Sequence, residues 1–142
     1  MNLLDLDPAT LMPSAEYDVK IATEWMRWQQ INGGFYKGKW LMGDRSVHPS
    51  PNWSPTTNVE HAGEARRMAD GWAITTTQGK VGSRYATVGI YCELFVDGLH
   101  YHGRCRLEET NGDPGLAEAL ATSRAIWAAM GAREKAEGRE GG

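Results

Sequence analysis

An Asp-Gly pair at positions 97 and 98 stands between two runs of alternating apolar and polar residues, and it constrains the fold more than any other feature of the chain. Such a pair supplies the two positive φ angles that a two-residue hairpin turn requires. A turn of that length sets Val96 opposite Leu99, and the register of the remaining pairs follows from it. The sequence therefore predicts an antiparallel hairpin over residues 85–107.

This register decides which side chains share each face of the hairpin. Side chains alternate between the two faces of a strand, so every second cross-strand pair lies on the same side. On one face every paired residue is apolar or small, which predicts that this face packs on the core. The pairs are Val96 with Leu99, Leu94 with Tyr101, Cys92 with Gly103, Ile90 with Cys105, and Val88 with Leu107.

The opposite face of the hairpin carries aromatic and basic side chains. Its pairs are Phe95 with His100, Glu93 with His102, Tyr91 with Arg104, and Gly89 with Arg106. A guanidinium group matches phosphate and carboxylate, and flat rings stack on bases. The pattern indicates an anionic ligand that contains a ring, such as a nucleotide. It is also typical of a solvated sheet face or of one covered by a helix, because such cross-strand pairs stabilise sheets without a ligand.

Part of the same face could instead bind a metal ion. His100 and His102 lie on one side of the strand with Glu93 beside them, which offers three ligands and an open position, as in catalytic zinc sites. The His-x-His pattern is short, however, and no fourth ligand follows from the spacing. A metal-dependent enzyme therefore stands as a further alternative.

Three helices are predicted from periodicity and capping residues. Residues 15–28 place apolar side chains at spacings of four, four and three, after Ser14 as a capping residue. Asn58 caps a second helix over residues 59–70. A third begins at Pro114, where the missing amide costs nothing, and extends to about residue 135.

Strands are predicted over residues 35–42 and 72–77, with a glycine-rich turn over residues 78–84 and a long proline-rich loop over residues 43–57. The order of elements is helix, strand, helix, three strands and helix. This order predicts an α+β fold, with helices packed on an antiparallel sheet of about four strands. We expect one domain over residues 1–137 and a flexible tail over residues 138–142.

Two residues outside the hairpin complete the predicted ligand site. Arg84, in the glycine-rich turn, is expected to lie beside the aromatic and basic face. Trp53, in the proline-rich loop, is either an exposed aromatic at that site or a plug packed on the core. Cys92 and Cys105 are expected to be buried thiols, since free cysteine is commonly buried.

Composition excludes several classes of function. The chain has 142 residues, a formal net charge of −3 and two cysteines. That balance argues against a nucleic-acid partner, and two cysteines build neither a disulfide framework nor a four-cysteine zinc site. No apolar stretch is long enough for a membrane span, and the first residues lack the pattern of a signal peptide. We therefore expect a cytoplasmic protein, and the sequence carries no catalytic or cofactor motif.

Three segments resemble the phage ABA sandwich domain. Residues 18–28 (DVKIATEWMRW) resemble its opening helix, residues 54–72 (SPTTNVEHAGEARRMADGW) its second signature, and residues 119–129 (ALATSRAIWAA) its closing helix. The chain departs from the family at Arg27, where the family has glycine, and it lacks the usual cysteine of the last helix. The resemblance implies a phage or prophage protein with a sheet between helical layers.

Together these features predict a non-catalytic phage protein that sequesters a small anionic ligand, most simply a nucleotide immune signal, in the host bacterial cytoplasm. We expect such a protein to form homo-oligomers, because ligand pockets of this kind often lie between subunits. The first alternative is a protein–protein inhibitor of a host bacterial defence protein. The second is the metal-dependent enzyme described above.

Overall fold

The computed structural model describes residues 6–49 and 52–137, so the tail predicted over residues 138–142 lies outside the described residues. Within these residues, three α-helices and five strands follow one another. They are α1 (Ala15–Lys20), β1 (Gln29–Gln30), β2 (Trp40–Leu41), α2 (Val59–Arg66), β3 (Gly71–Val81), β4 (Arg84–Val96), β5 (Leu99–Arg106) and α3 (Pro114–Ala136). The predicted α+β class is confirmed.

The strands form two separate antiparallel sheets. The main sheet has the order β3-β4-β5, and β1 pairs with β2 in a small second sheet. The strand predicted over residues 35–42 is thus reduced to Trp40–Leu41 and does not join the main sheet. Gly34 and Gly38 both have positive φ, so the backbone between them turns instead of extending.

The predicted hairpin register is confirmed from Val96–Leu99 to Gly89–Arg106. Asp97 and Gly98 have φ angles of 53° and 77°, as a type I′ turn requires. The predicted pair Val88–Leu107 is wrong. Val88 is left without a partner at a β-bulge in the pairing of β3 with β4, and Leu107 has already entered a 3₁₀ turn.

The core lies between the main sheet and α3. This helix packs along β4 and β5 on the side of Cys92 and Leu94, and α2 packs against α3. Trp25 and Trp127 are fully buried between these layers. Within the described residues, α3 is the only long helix that packs extensively on the sheet. The helices therefore lie on one side of the sheet, whereas the resemblance implied helices on both sides.

The predicted capping residues Ser14 and Asn58 are confirmed, but the predicted ends of the first two helices are wrong. Ser14, Asn58 and Asp113 accept backbone hydrogen bonds at the starts of their helices. The first helix changes to a π-helix over Ile21–Trp25 and ends there, and the second ends at Arg66 instead of residue 70.

The glycine-rich turn predicted over residues 78–84 is also wrong, because β3 continues to Val81 and leaves a turn of only two residues. The side chain of Gln78 donates to Thr87 Oγ1 on β4 at 3.1 Å and supports this extension. Gly82, with a φ of 65°, makes the turn itself.

Candidate functional site

The side of the main sheet away from α3 forms a surface that we name the open face. Its central row comes from β4 and its two outer rows from β5 and β3, all fixed by the strand registers. No described helix packs over it, and the Phe95 side of the sheet remains accessible to solvent. The open face comprises Gly71, Ala73, Thr75, Thr77, Gly89, Tyr91, Glu93, Phe95, His100, His102, Arg104 and Arg106.

Four rings form a continuous strip along the open face. Phe95 and His100 stack with ring centroids 5.0 Å apart and planes 8° from parallel. The ring of His100 lies 6.1 Å from that of His102, which in turn lies 5.7 Å from the ring of Tyr91. Phe95 is 43% exposed, so one side of this strip is available to a further flat group.

The basic groups of the open face lie beside this strip of rings. The guanidinium carbon of Arg104 lies 5.2 Å from the ring centroid of Tyr91, a cation–π distance. The backbone of Arg104 is fixed from below, because its carbonyl accepts a 2.7 Å hydrogen bond from the buried Arg124. Arg104 is exposed and lacks a carboxylate partner among the described residues. Its guanidinium is therefore available to an anion.

The only carboxylate on the open face is that of Glu93, half-buried in the central strand. Glu93 Oε2 lies 3.2 Å from His100 Nε2, and Arg106 pairs with Glu108 at 3.1 Å beyond the end of the strand. Burial, followed by the charge of Glu93, raises the pKa of Tyr91. The phenol consequently remains protonated at neutral pH, and its hydrogen bond with the Glu93 carboxylate contributes to the same shift.

Two cavities lie on either side of Arg104. One, of about 530 Å³, occupies the notch where the β3–β4 hairpin extends past the end of β5, and Thr77, Gly89 and Arg106 are among its lining residues. The other, of about 600 Å³, lies along the outer edge of β5 against Pro8 and includes His100 and His102 in its lining. Cavities of this size accommodate small ligands.

Six of the eight residues predicted as ligand-binding come together on the open face, namely Tyr91, Phe95, His100, His102, Arg104 and Arg106. Arg84 does not join them, because it pairs with Val81 at the outer end of the β3–β4 hairpin. The row of small residues on the edge strand β3 was not predicted as part of the surface. Only the pairing of β3 with β4, which the sequence did not specify, reveals it.

Trp53 is part of the hydrophobic core and is only 7% exposed. Its ring stacks on His61 with centroids 5.2 Å apart, and it meets Trp28 at 4.6 Å. Of the two alternatives for this residue, the structure shows the plug packed on the core. The prediction that Trp53 contributes an exposed ring to the ligand site is therefore wrong.

The buried cluster around Trp53 fastens the proline-rich loop to α2. His48 Nε2 lies 3.0 Å from Glu64 Oε1, and the Ser54 amide donates to His61 Nδ1 at 3.0 Å. Burial lowers the pKa of His61, which keeps its ring neutral and able to accept that bond. These two histidines carry a structural role that their separation in sequence concealed.

The two cysteines are buried, as predicted. Cys92 and Cys105 are free thiols with almost no exposed surface, on the side of the sheet that faces α3. Burial raises the pKa of each thiol to about 11. Both therefore remain protonated at neutral pH and are poor nucleophiles.

The described residues include no group of three or more histidine, cysteine or acidic side chains arranged to hold a metal ion. Although His100, His102 and Glu93 share the open face, His102 stacks toward Tyr91 and the carboxylate turns to His100. No helix in the described part of the chain is long and apolar enough to cross a membrane. Comparisons with protein-family models, curated proteins and solved structures found no match to this chain.

Proposed function

We propose that the open face binds a small anionic ligand that contains a flat ring, and that a nucleotide is the chemical class. The observation that carries this proposal is the combination of the stacked Phe95–His100 pair with the unpaired guanidinium of Arg104 on one exposed surface. Stacking is available to any base, and a guanidinium fork matches a phosphate.

The proposed ligand lies along the open face in one orientation, with its base at one end and its phosphate at the other. Its base stacks at the end near the Asp97–Gly98 turn, over Phe95 and His100. Its phosphate lies toward Arg104 and Arg106, where the notch at the end of β5 gives it room. The Tyr91 hydroxyl and the histidine rings lie between these ends and offer hydrogen bonds to the sugar.

We further propose that the protein acts by sequestering this ligand and not by converting it. The resemblance to phage ABA sandwich domains supplies the biological setting, in which the ligand is a nucleotide immune signal in the host bacterial cytoplasm. A face that provides stacking and charge, with both cysteines buried on its other side, supports a binding role.

The proposal is tested by calorimetric titration of the protein with mononucleotides and cyclic nucleotides. Native mass spectrometry of protein purified from cells should reveal any ligand retained from them. We expect Arg104→Ala to weaken binding of the best nucleotide by a factor on the order of ten to a hundred, since it removes a charge-assisted contact. Lys37→Ala, in the turn between β1 and β2, removes the same charge away from the open face and should leave affinity unchanged.

Equal affinity of Arg104→Ala and the wild type would remove the open face as the site. Failure of every nucleotide to bind, with nothing retained from cells, would remove the nucleotide class altogether. Both variants should be checked by circular dichroism, so that a loss of binding is not confused with a loss of folding.

A specific observation favours the inhibitor of a host defence protein as the second candidate function. Phe35 is 90% exposed at the tip of the segment that joins β1 to β2, and it meets Tyr36 edge-on at 5.0 Å. Lys37 follows these two rings along the same turn. Exposed aromatic residues are frequent anchors of protein interfaces. If this function is correct, Phe35→Ala abolishes capture of the host protein, whereas Arg104→Ala does not.

A further inference from the structure

The two edges of the main sheet differ in how far they are protected. The outer edge of β5 carries the charged and ring side chains of the open face, and the 3₁₀ turn Pro8–Thr10 packs beside it. Charged side chains and covering segments are the usual means by which proteins prevent edge strands from pairing with other chains. The β5 edge is therefore partly protected.

The β3 edge is less protected, because no described helix or turn packs extensively along it. The strand is eleven residues long, contains no proline, and carries a single charged side chain, Lys80. Among the described helices and strands only β4 packs extensively against β3. The extra residue of the β-bulge, Val88, belongs to β4, so β3 itself is continuous and presents an unbroken row of backbone donors and acceptors.

From this edge we infer that two copies of the chain pair through β3, antiparallel and with Thr76 opposite Thr76 of the second copy. The register is chosen by side-chain complementarity. It sets Thr75 opposite Thr77, and pairs of threonines stabilise neighbouring strands. It also sets Lys80 opposite Trp72 of the second copy, so the two lysines do not face each other.

The Trp72 side chain has the exposure that this pairing needs. It is 46% exposed at the sheet edge, and Arg66 lies over one side of its ring at 4.6 Å. The remaining exposed part of the ring lies where Lys80 of the second copy arrives, and a lysine beside tryptophan makes a favourable cation–π contact. The two-fold symmetry produces this contact twice.

The pairing creates a continuous six-stranded sheet. Because residues opposite each other in an antiparallel pair point to the same side, the helices of both copies lie on one side and both open faces lie on the other. The inference is independent of the proposed ligand, since it rests on β3 alone.

The pairing is tested with variants that carry a charge at Thr76, whose side chain is exposed. Sedimentation-velocity ultracentrifugation over a wide concentration range measures their dimerisation. Thr76→Lys and Thr76→Glu each set like charges directly opposite across the two-fold axis. We expect each change to raise the dimer dissociation constant by a factor on the order of ten or more. An equimolar mixture of the two variants should recover the dimer, because the lysine of one copy then faces the glutamate of the other.

Leu99→Lys is the matched control, because it places the same side chain at an exposed position on β5 and should leave the dimer intact. A wild-type chain that remains monomeric at every soluble concentration would overturn the inference. So would an oligomer that persists in both Thr76 variants, or a mixture of the two that does not pair. Circular dichroism confirms that each variant is folded before its mass is interpreted.

Discussion

The backbone of Gly103 lies directly against the carbonyl oxygen of Ala121, at the point where β5 meets α3. A Cβ atom at position 103 would collide with that oxygen and with the Ala125 amide nitrogen, and neither backbone group can turn away. The close approach brings the helix onto the strand and buries Cys92 opposite. The absence of a side chain at position 103 therefore allows the close spacing between the sheet and the helix.

Gly103→Ala should accordingly destabilise the protein by about 3 kcal/mol or more, because α3 must move off the sheet to admit the methyl group. Urea denaturation followed by far-UV circular dichroism measures the change in the free energy of unfolding. Gly33→Ala is the control, since a Cβ there meets nothing within 4 Å and the residue does not need a positive φ. Similar stabilities of the two variants would show that the contact is not tight.

Arg124 joins four parts of the chain from a position that is 2% exposed. Its guanidinium donates to the carbonyls of Leu11 and Arg104 at 3.0 and 2.7 Å and to Glu109 Oε1 at 2.9 Å. Arg124→Ala should cost about 3 kcal/mol, because it leaves these acceptors without their donor. Lys135→Ala, near the end of the same helix, should change stability by less than about 0.5 kcal/mol. Thermal unfolding of both variants distinguishes the two magnitudes.

The Glu109 carboxylate makes a contribution to folding stability that is lost at low pH. Its hydrogen bond with Arg124 is the main cause that lowers the pKa of Glu109 below its usual 4.5. A lowered native pKa contributes stability that is present above the unfolded pKa and is lost as pH falls through the native pKa. The wild type should therefore lose its advantage over Glu109→Gln as pH falls below about 4.5. Urea titrations at a series of pH values measure this difference, and a constant gap would contradict the assignment.

Asp18 makes stability depend on pH in the opposite direction. Its Oδ1 accepts hydrogen bonds from the Thr56 amide and hydroxyl, both at 2.8 Å, yet burial dominates and raises the pKa of Asp18. A raised native pKa gives stability that is present below the unfolded pKa and lost as pH rises through the native pKa. Wild type should thus lose stability relative to Asp18→Asn as pH increases from about 4.

At neutral pH Asp18→Ala should be the more damaging change at this position. It leaves two buried Thr56 donors without an acceptor, at a cost of about 2 kcal/mol, whereas Asp18→Asn keeps an oxygen in place. Equal stabilities of the two variants would indicate that the Thr56 donors find another acceptor.

The hairpin could be predicted from the sequence because two independent local signals agree on it. The Asp97–Gly98 turn fixes the register, and the alternation of polarity requires the same register. The grouping of Tyr91, Phe95, His100, His102 and Arg104 on one face followed directly. A local pattern of this kind contains all the information needed to place a cross-strand pair.

The remaining features depend on contacts between distant parts of the chain. Burial of Trp53 depends on Trp28 and His61, which lie in other segments, and its own loop gives no sign of it. The extension of β3 to Val81 likewise depends on β4, because Gln78 and Gly79 alone favour a turn. Exposure of the open face depends on where the helices pack, which no local pattern specifies.

Phe95 provides the last prediction, because it separates stacking from charge on the open face. Phe95→Ala removes the exposed half of the stack with His100 and should weaken nucleotide binding by about 1–3 kcal/mol, as loss of base stacking does. Phe95→Tyr keeps the ring and should bind as the wild type does. Tyr85→Ala is the control, since it removes a 78% exposed aromatic from the far end of the same strand. Fluorescence titration with a labelled nucleotide compares the three variants, and equal losses for Phe95→Ala and Tyr85→Ala would exclude stacking at Phe95.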